Sequence, residues 1–478
     1  MLFFPEKGIP VGDVNLEFPS AKKFLAVKMP SDTISEEEKE IAKIMDSVVV
    51  VTKKIDSAAL KKKLDSIRHK RDSIRKASKH IMGNEKAMKS LSGFFSRIDQ
   101  ADSKKIRIMH YGDSQIESDR ITSYVRNDLQ KKFGGNGVGL FPVIQVSPKW
   151  TLNNSHSGNW KRYVGFGKKN PAVEHMKYGA LMSFCRFTPV PTENPENQVF
   201  EGWIKLKKAK ISYRRVQRYS QLYLYLRNMN HDTEYEITAD GKILKSGKIS
   251  SNTPYMVIKT SFTPTPEEIK ITFKGAESPD IFGISLEGNN GVIMDNIPLR
   301  GSSGTLFTRQ DPELLGKMYK SLSPNLIILE FGGNTIPYIK TNKQIRDYGN
   351  WLKQQINYLK RLNSGIPILL IGPGDMSVKD QTEYKTHPKL PAVRDALKEA
   401  ALSTDCLFWD MYKGMGGRNS MLQWVNAEPA LGASDYIHFT PKGAVKISKI
   451  FLEEFYRLYN TYKAAKKPEN AIPDDTIH

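Results

Sequence analysis

Ile106-Arg107-Ile108-Met109-His110-Tyr111-Gly112-Asp113-Ser114-Gln115 is the stretch whose reading decides the fold. An apolar run alternating with polar residues ends at glycine, and a hydroxyl follows where a helical pattern begins. Ser114 is therefore expected at the C-terminal tip of a strand. From Gln115 to Phe133 the apolar positions Ile121, Val125, Leu129 and Phe133 recur four apart, and Gly134-Gly135-Asn136-Gly137 ends the helix. Strand, turn and helix in that order are the opening unit of an open α/β sheet, which binds ligands outside the carboxyl ends of its strands.

The same texture returns after residue 293. Asn325 to Glu330 and Ile366 to Gly372 are continuous apolar runs, the pattern of strands covered on both faces in a parallel sheet. Helical segments at 342–362, 391–402 and 441–463 complete the layers. Between them, from 145 to 290, helical periodicity vanishes. Short β-type runs such as Gln221-Leu222-Tyr223-Leu224-Tyr225-Leu226 and Ile269-Lys270-Ile271-Thr272-Phe273 are separated by turns such as Asp240-Gly241, which predicts an inserted antiparallel β-sandwich. Residues 1–100 read as an N-terminal extension, helical from about Ser35 to Arg97, where Ile55, Ala58, Ala59, Leu64 and Ile67 share a face. The expected organisation is thus an extension at 1–100, an α/β domain from 101–144 and 291–465, the sandwich at 145–290, and a flexible tail at 466–478.

Bulk properties agree with several folding units: 478 residues exceed one ordinary core, and 39% are hydrophobic. The net charge of +21 collects largely in runs such as Lys61-Lys62-Lys63, with acids interleaved, and reads as a solvated helix face. No zinc-finger spacing or RNA-binding motif accompanies it, so nucleic acid is not an expected partner. Two cysteines, Cys185 and Cys406, fall in different predicted domains, which excludes a disulfide framework and a thiolate metal site. No run of eighteen apolar residues is present. The abrupt apolar start Met1-Leu2-Phe3-Phe4-Pro5 is compatible with the stub of an anchor or signal sequence.

Two further segments carry chemistry. Phe331-Gly332-Gly333-Asn334 follows an apolar strand, and Asp435-Tyr436-Ile437-His438-Phe439-Thr440 lies at a loop-to-helix junction, with Thr440 and Pro441 suited to cap and open the helix. A serine is a poor nucleophile until a base takes its proton, and that base needs a third group to hold its tautomer. Asp435 and His438, three apart, bring an acid and a base to one side of a turn. Each residue alone would read as a turn or capping residue; their order and spacing give the esterase reading.

These segments resemble the blocks of the SGNH, or GDSL-like, hydrolases. Gly112-Asp113-Ser114 resembles the nucleophile block, Gly332-x-Asn334 the asparagine block and Asp435-x-x-His438 the acid and base block. Ile297-Pro298-Leu299-Arg300-Gly301-Ser302-Ser303 looks like the glycine block. The resemblance implies a flavodoxin-like open sheet. It implies Ser114 as nucleophile, His438 as base and Asp435 as its orienter, with an oxyanion hole from the N–H groups of Ser114 and Gly301 and the amide of Asn334. Gln115 replaces the leucine of the usual GDSL string, and Thr335 stands where an aspartate often follows the asparagine.

The β-rich insertion between the serine and glycine blocks is similar to that of bacterial peptidoglycan and polysaccharide O-acetylesterases, where it resembles a carbohydrate-binding jelly roll. That likeness implies an acetylated polysaccharide or peptidoglycan substrate, acetyl removal through an acyl-enzyme, no cofactor, no metal, and a periplasmic or cell-envelope location with membrane or envelope association. An O-acetyltransferase on the same residues and a non-catalytic glycan-binding protein are the alternatives. Gln115, His156 and Trp160 are candidate substrate contacts, the last two from the polar loop Asn153 to Trp160; Trp203, Tyr213 and Tyr219 are candidate sugar platforms that also suit a core.

Overall fold

The computed structural model describes residues 81–193 and 198–466, with the backbone of a short antiparallel pair, Ile9–Val11 and Val14–Leu16. The predicted helical face at Ile55 to Ile67 and the tail beyond Lys466 lie outside the described residues.

The α/β half is built on a six-stranded sheet. In chain order its strands are β1 (Ile81–Met82), β2 (Lys105–Gly112), β3 (Gly291–Pro298), β4 (Pro324–Glu330), β5 (Ile368–Ile371) and β6 (Leu407–Trp409). They lie in the order β3-β2-β4-β5-β6-β1, all parallel except β1, which runs against β6. Successive side chains serve opposite faces, as the pleat requires. On one face Met109, Tyr111, Ile327, Leu329, Ile368 and Leu370 join one core. On the other face Ile106, Ile108, Leu326, Ile328, Leu369 and Ile371 join a second core.

Helices α1 (Glu85–Ile98), α2 (Thr122–Phe133) and α6 (Pro441–Lys466) cover the second face, while α3 (Pro312–Leu322), α4 (Asn342–Leu362) and α5 (Leu390–Leu402) cover the first. Helix α1 places Leu91, Phe94, Phe95 and Ile98 in the core shared with α6. Residues from Ile81 onward already contribute to the α/β sheet and its core, ahead of the expected boundary at 101. Local capping agrees with the sequence: Gly134 ends α2 at φ +75°, and the Thr440 hydroxyl accepts from Gly443 N–H at 3.1 Å at the start of α6.

The helix expected directly after Ser114 is interrupted. A 3-10 turn spans Ser114–Asp119, with Ser118 and Asp119 at positive φ, before α2 begins at Thr122. Buried ion pairs hold this break. Asp119 receives both Arg126 amines, at 2.6 and 3.0 Å, and the Thr151 hydroxyl. Glu117 receives Arg300.

Two antiparallel sheets form the insertion. One carries Thr253–Ser261, Gln221–Asn228, Asp280–Glu287, Ser183–Arg186 and Lys161–Val164; the other carries Lys242–Ile249, Thr233–Ala239, Glu268–Gly275, Phe200–Lys207 and Asn153–His156. Gly139–Phe141 also pairs with Asp280–Glu287, so the insertion takes up the chain at 139, a few residues before the expected 145. Alternation in Gln221–Asn228 decides how the sandwich sits. Leu222, Leu224 and Leu226 enter its own core with Ile204, Ile237 and Phe273, while Tyr225 faces the α/β core with Phe307, Met318 and Tyr319. Polar links cross the same junction: Arg107 on β2 holds Asp295 at 2.7 Å and also binds Glu287, whose other oxygen takes Lys105 at 2.7 Å. Apolar burial with paired buried charge fixes the two units against each other.

Candidate active site

Three adjacent strands, β3, β2 and β4, end side by side, since Pro298 and Glu330 both flank Gly112. The loops leaving them carry Gly301, Ser114 and Asn334. Sequence separation is erased by the parallel register.

Ser114 opens the 3-10 turn after Asp113, whose carboxylate accepts from Gln115 N–H at 3.0 Å and fixes the turn. Ser114 Oγ lies 2.8 Å from His438 Nε2, and His438 Nδ1 lies 2.7 Å from Asp435 Oδ2. The other Asp435 oxygen accepts the N–H groups of Ile437 and His438, both at 2.9 Å. Burial would raise the Asp435 pKa, but the His438 ring and these N–H donors hold it well below the ordinary carboxylate range. An ionised Asp435 can only accept, so Nδ1 carries the ring proton and Nε2 presents a lone pair to the serine hydroxyl. The residues needed to activate a serine are thus in line.

The histidine loop is braced from two sides. Gln115 Nε2 donates to Ile437 O at 2.6 Å, and Ser377 N–H donates to Tyr436 O at 3.0 Å. Tyr436, at φ +59°, stacks on Tyr384 with ring centroids 3.7 Å apart and planes 8° apart. Tyr384 belongs to a hairpin, Ser377–Asp380 with Glu383–Thr386, that the sequence did not announce.

The Gly301 turn and Asn334 also meet: Asn334 Nδ2 lies 3.3 Å from Ser302 O. Gly301 has φ +74° and empty space where a Cβ would stand, which suits a backbone N–H open to a ligand. Replacing Asn334 by alanine is expected to lower kcat by roughly 100- to 1000-fold with little change in KM, the usual effect of losing one oxyanion donor. Steady-state kinetics on an activated acetyl ester check it, and an unchanged kcat would remove Asn334 from the oxyanion hole.

Charged groups beneath the turn escaped the sequence reading. Glu117 binds Arg300 through Nε at 2.6 Å and Nη2 at 2.7 Å, and Arg300 reaches Ser147 Oγ at 2.7 Å, tying the glycine loop to the insertion. His110 is buried between Glu330 and Thr122, 3.0 Å from each. Burial, reinforced by Glu330, pushes Asp113 up to about 7 although Gln115 N–H pulls it down. Arg120 is held below its usual value by burial, with Glu117, Asp435 and Glu330 opposing the shift.

One expected substrate contact is corrected. Trp160 is only 5% exposed and packs against Phe187 and Phe273 in the sandwich core, its indole N–H on Trp203 O at 3.1 Å. Gln115 has its amide on Ile437 and braces the loop, with Oε1 also buried. His156 instead lines a cleft of the insertion. Tyr219 is buried in the sandwich core, as its alternative reading allowed.

Residues 277–445 match the model of the GDSL-like lipase/acylhydrolase family. Among solved structures, a peptidoglycan O-acetylesterase superposes with a TM-score of 0.61 at 17% identity, covering 80% of this chain and 99% of its own. An acetyl xylan esterase (TM-score 0.27, 14% identity, 34% of this chain and 80% of its own) and a GDSL-like lipase from Parabacteroides merdae (0.27, 16%, 34% and 72%) overlap over smaller parts. No curated protein sequence matches. The fold is SGNH-like, with an inserted β domain. The GDSL-like match over residues 277–445 and the Ser114, His438, Asp435 line mark the chain as a serine ester hydrolase.

Proposed function

We propose that this enzyme removes O-acetyl groups from peptidoglycan or another envelope polysaccharide, through an acyl-enzyme on Ser114. The observation that carries the mechanism is the hydrogen-bonded line Ser114, His438, Asp435 at the C-terminal end of β2. His438 takes the Ser114 proton as Oγ attacks the acetyl carbonyl, then returns it to the departing sugar hydroxyl. Water, activated by the same nitrogen, releases acetate and restores the serine. In this reading the N–H groups of Ser114 and Gly301 and the Asn334 amide receive the negative charge of each tetrahedral intermediate. The polysaccharide assignment is supported by the sandwich fixed against the glycine loop through Arg300 and Ser147, and by the shared fold with a peptidoglycan O-acetylesterase.

Acetate release from a panel of substrates tests the reading: O-acetylated peptidoglycan, acetylated xylan, and a short-chain triglyceride. Release from an acetylated glycan with kcat/KM at least about 100-fold above the triglyceride is expected, a preference of roughly 2.7 kcal/mol. Preference for the triglyceride would overturn it. Transfer of acetyl to an added sugar acceptor in excess of acetate release would make the enzyme a transferase.

A further inference from the structure

The loop that reaches the active site through Ser147 also forms one wall of a cleft of about 920 Å³ in the insertion. Gln145, Trp150, Asn153 and His156 line this wall, and Lys207 and Lys210 face it from the sandwich. Trp150 is 42% exposed, unusual for so large an apolar side chain, and Tyr213 holds it edge to face with ring centroids 5.1 Å apart at 67°. An indole this exposed in an open cleft offers apolar surface on which a sugar ring can lie. Polar groups surround it. Gln145 has Oε1 buried with no hydrogen-bond partner among the described residues, and His156 uses Nδ1 on Ser157 O at 2.9 Å, which leaves Nε2 for a ligand.

The charge of the lining is positive. Three lysines, at 207, 208 and 210, stand against Glu267 and Glu268, while the ammonium of a fourth, Lys149, is buried on Asn296 O at 2.7 Å. Those two glutamates are already engaged, Glu268 by Lys207 at 3.0 Å and Glu267 by Lys208, so the excess is cationic. We propose that this cleft is a second subsite of the enzyme, which binds a carboxylate-bearing sugar of the same glycan chain, with Trp150 as the stacking platform and Lys210 as the cation. The inference rests on the glycan esterase reading and deepens it, because a ligand held here would present a neighbouring sugar toward Arg300 and Ser114. It would also give the enzyme a preference for chains over single sugars, since two linked contacts act at high effective concentration.

Direct binding separates this proposal from the chemistry. The full chain carrying Ser114→Ala is titrated calorimetrically with soluble de-O-acetylated peptidoglycan strands, which are acidic, and with chitohexaose, which is uncharged. Tighter binding of the strands is expected, and adding Trp150→Ala should weaken it by about tenfold, the size of one lost aromatic anchor. Lys210→Glu, on an exposed turn whose fold does not depend on it, should weaken strand binding severalfold and leave chitohexaose binding in place. Strand affinity unmoved by both substitutions would overturn the subsite. Equal affinity for chitohexaose and strands would overturn its acidic character. If wild-type enzyme releases no acetate from any glycan yet these binding differences hold, the esterase reading fails and the subsite stands.

Discussion

Ser114→Ala is expected to lower turnover of an activated acetyl ester by roughly a millionfold, the loss seen when a serine hydrolase is deprived of its nucleophile. Alanine removes the one atom that can carry the acyl group. What remains is the oxyanion hole and binding, which by themselves retain some acceleration over water. The fold should be untouched, because the hydroxyl contacts His438 Nε2 and supports no part of the core. Unfolding followed by circular dichroism should therefore superpose on wild type. A serine-directed fluorophosphonate should label the wild-type peptide containing Ser114 and leave the variant unlabelled, as read by mass spectrometry. Turnover within tenfold of wild type would refute the mechanism, whatever the substrate.

Asp435→Asn is expected to lower kcat by about 10⁴ at neutral pH, because the histidine is then held in the wrong tautomer. Asparagine can still accept the N–H groups of Ile437 and His438 through its oxygen, so the loop keeps its shape. Its amide can instead donate to Nδ1, which moves the ring proton to Nε2 and turns that nitrogen from base to donor. A KM within a few fold of wild type, with kcat alone reduced, would distinguish this from a collapsed loop. Retention of a tenth of the activity would show that Asp435 does not set the tautomer.

The depressed pKa of Asp435 also fixes a pH expectation. Its ionised form is favoured in the folded state, so its stabilising contribution is present above the unfolded value of about 3.9 and is lost only as pH falls through the lower folded value. Any fall in activity between neutrality and about pH 5 must therefore arise elsewhere.

How much of this was legible in the chain follows from the range of each interaction. The strands at Leu326 to Glu330 and Ile368 to Ile371 were readable because a strand buried on both faces needs an unbroken apolar run. Asp435 and His438 were readable because three residues separate them. The Glu117 to Arg300 and His110 to Glu330 pairs were not, since 183 and 220 positions intervene and nothing local marks either partner. The break at Ser118 was missed because the apolar spacing begins only at Ile121 and marks nothing ahead of it; the buried Arg126 to Asp119 pair holds that turn. Trp160 misled because its polar neighbours, Ser157 to Asn159, suggest a surface loop, whereas its actual neighbours Phe187 and Phe273 come from distant strands.

The sequence by itself determined that an α/β sheet would be interrupted by a β-sandwich, and that a serine, an asparagine and an acid–base pair would sit at its strand ends. Periodicity and turn chemistry are local properties, and they suffice for that. Tertiary structure alone decided that Ser114 Oγ stands 2.8 Å from His438, that Tyr384 braces the histidine loop, and that the leucines and tyrosines of one strand face two different cores. Those outcomes depend on the parallel register and on how the insertion docks, which are set by contacts between residues hundreds of positions apart.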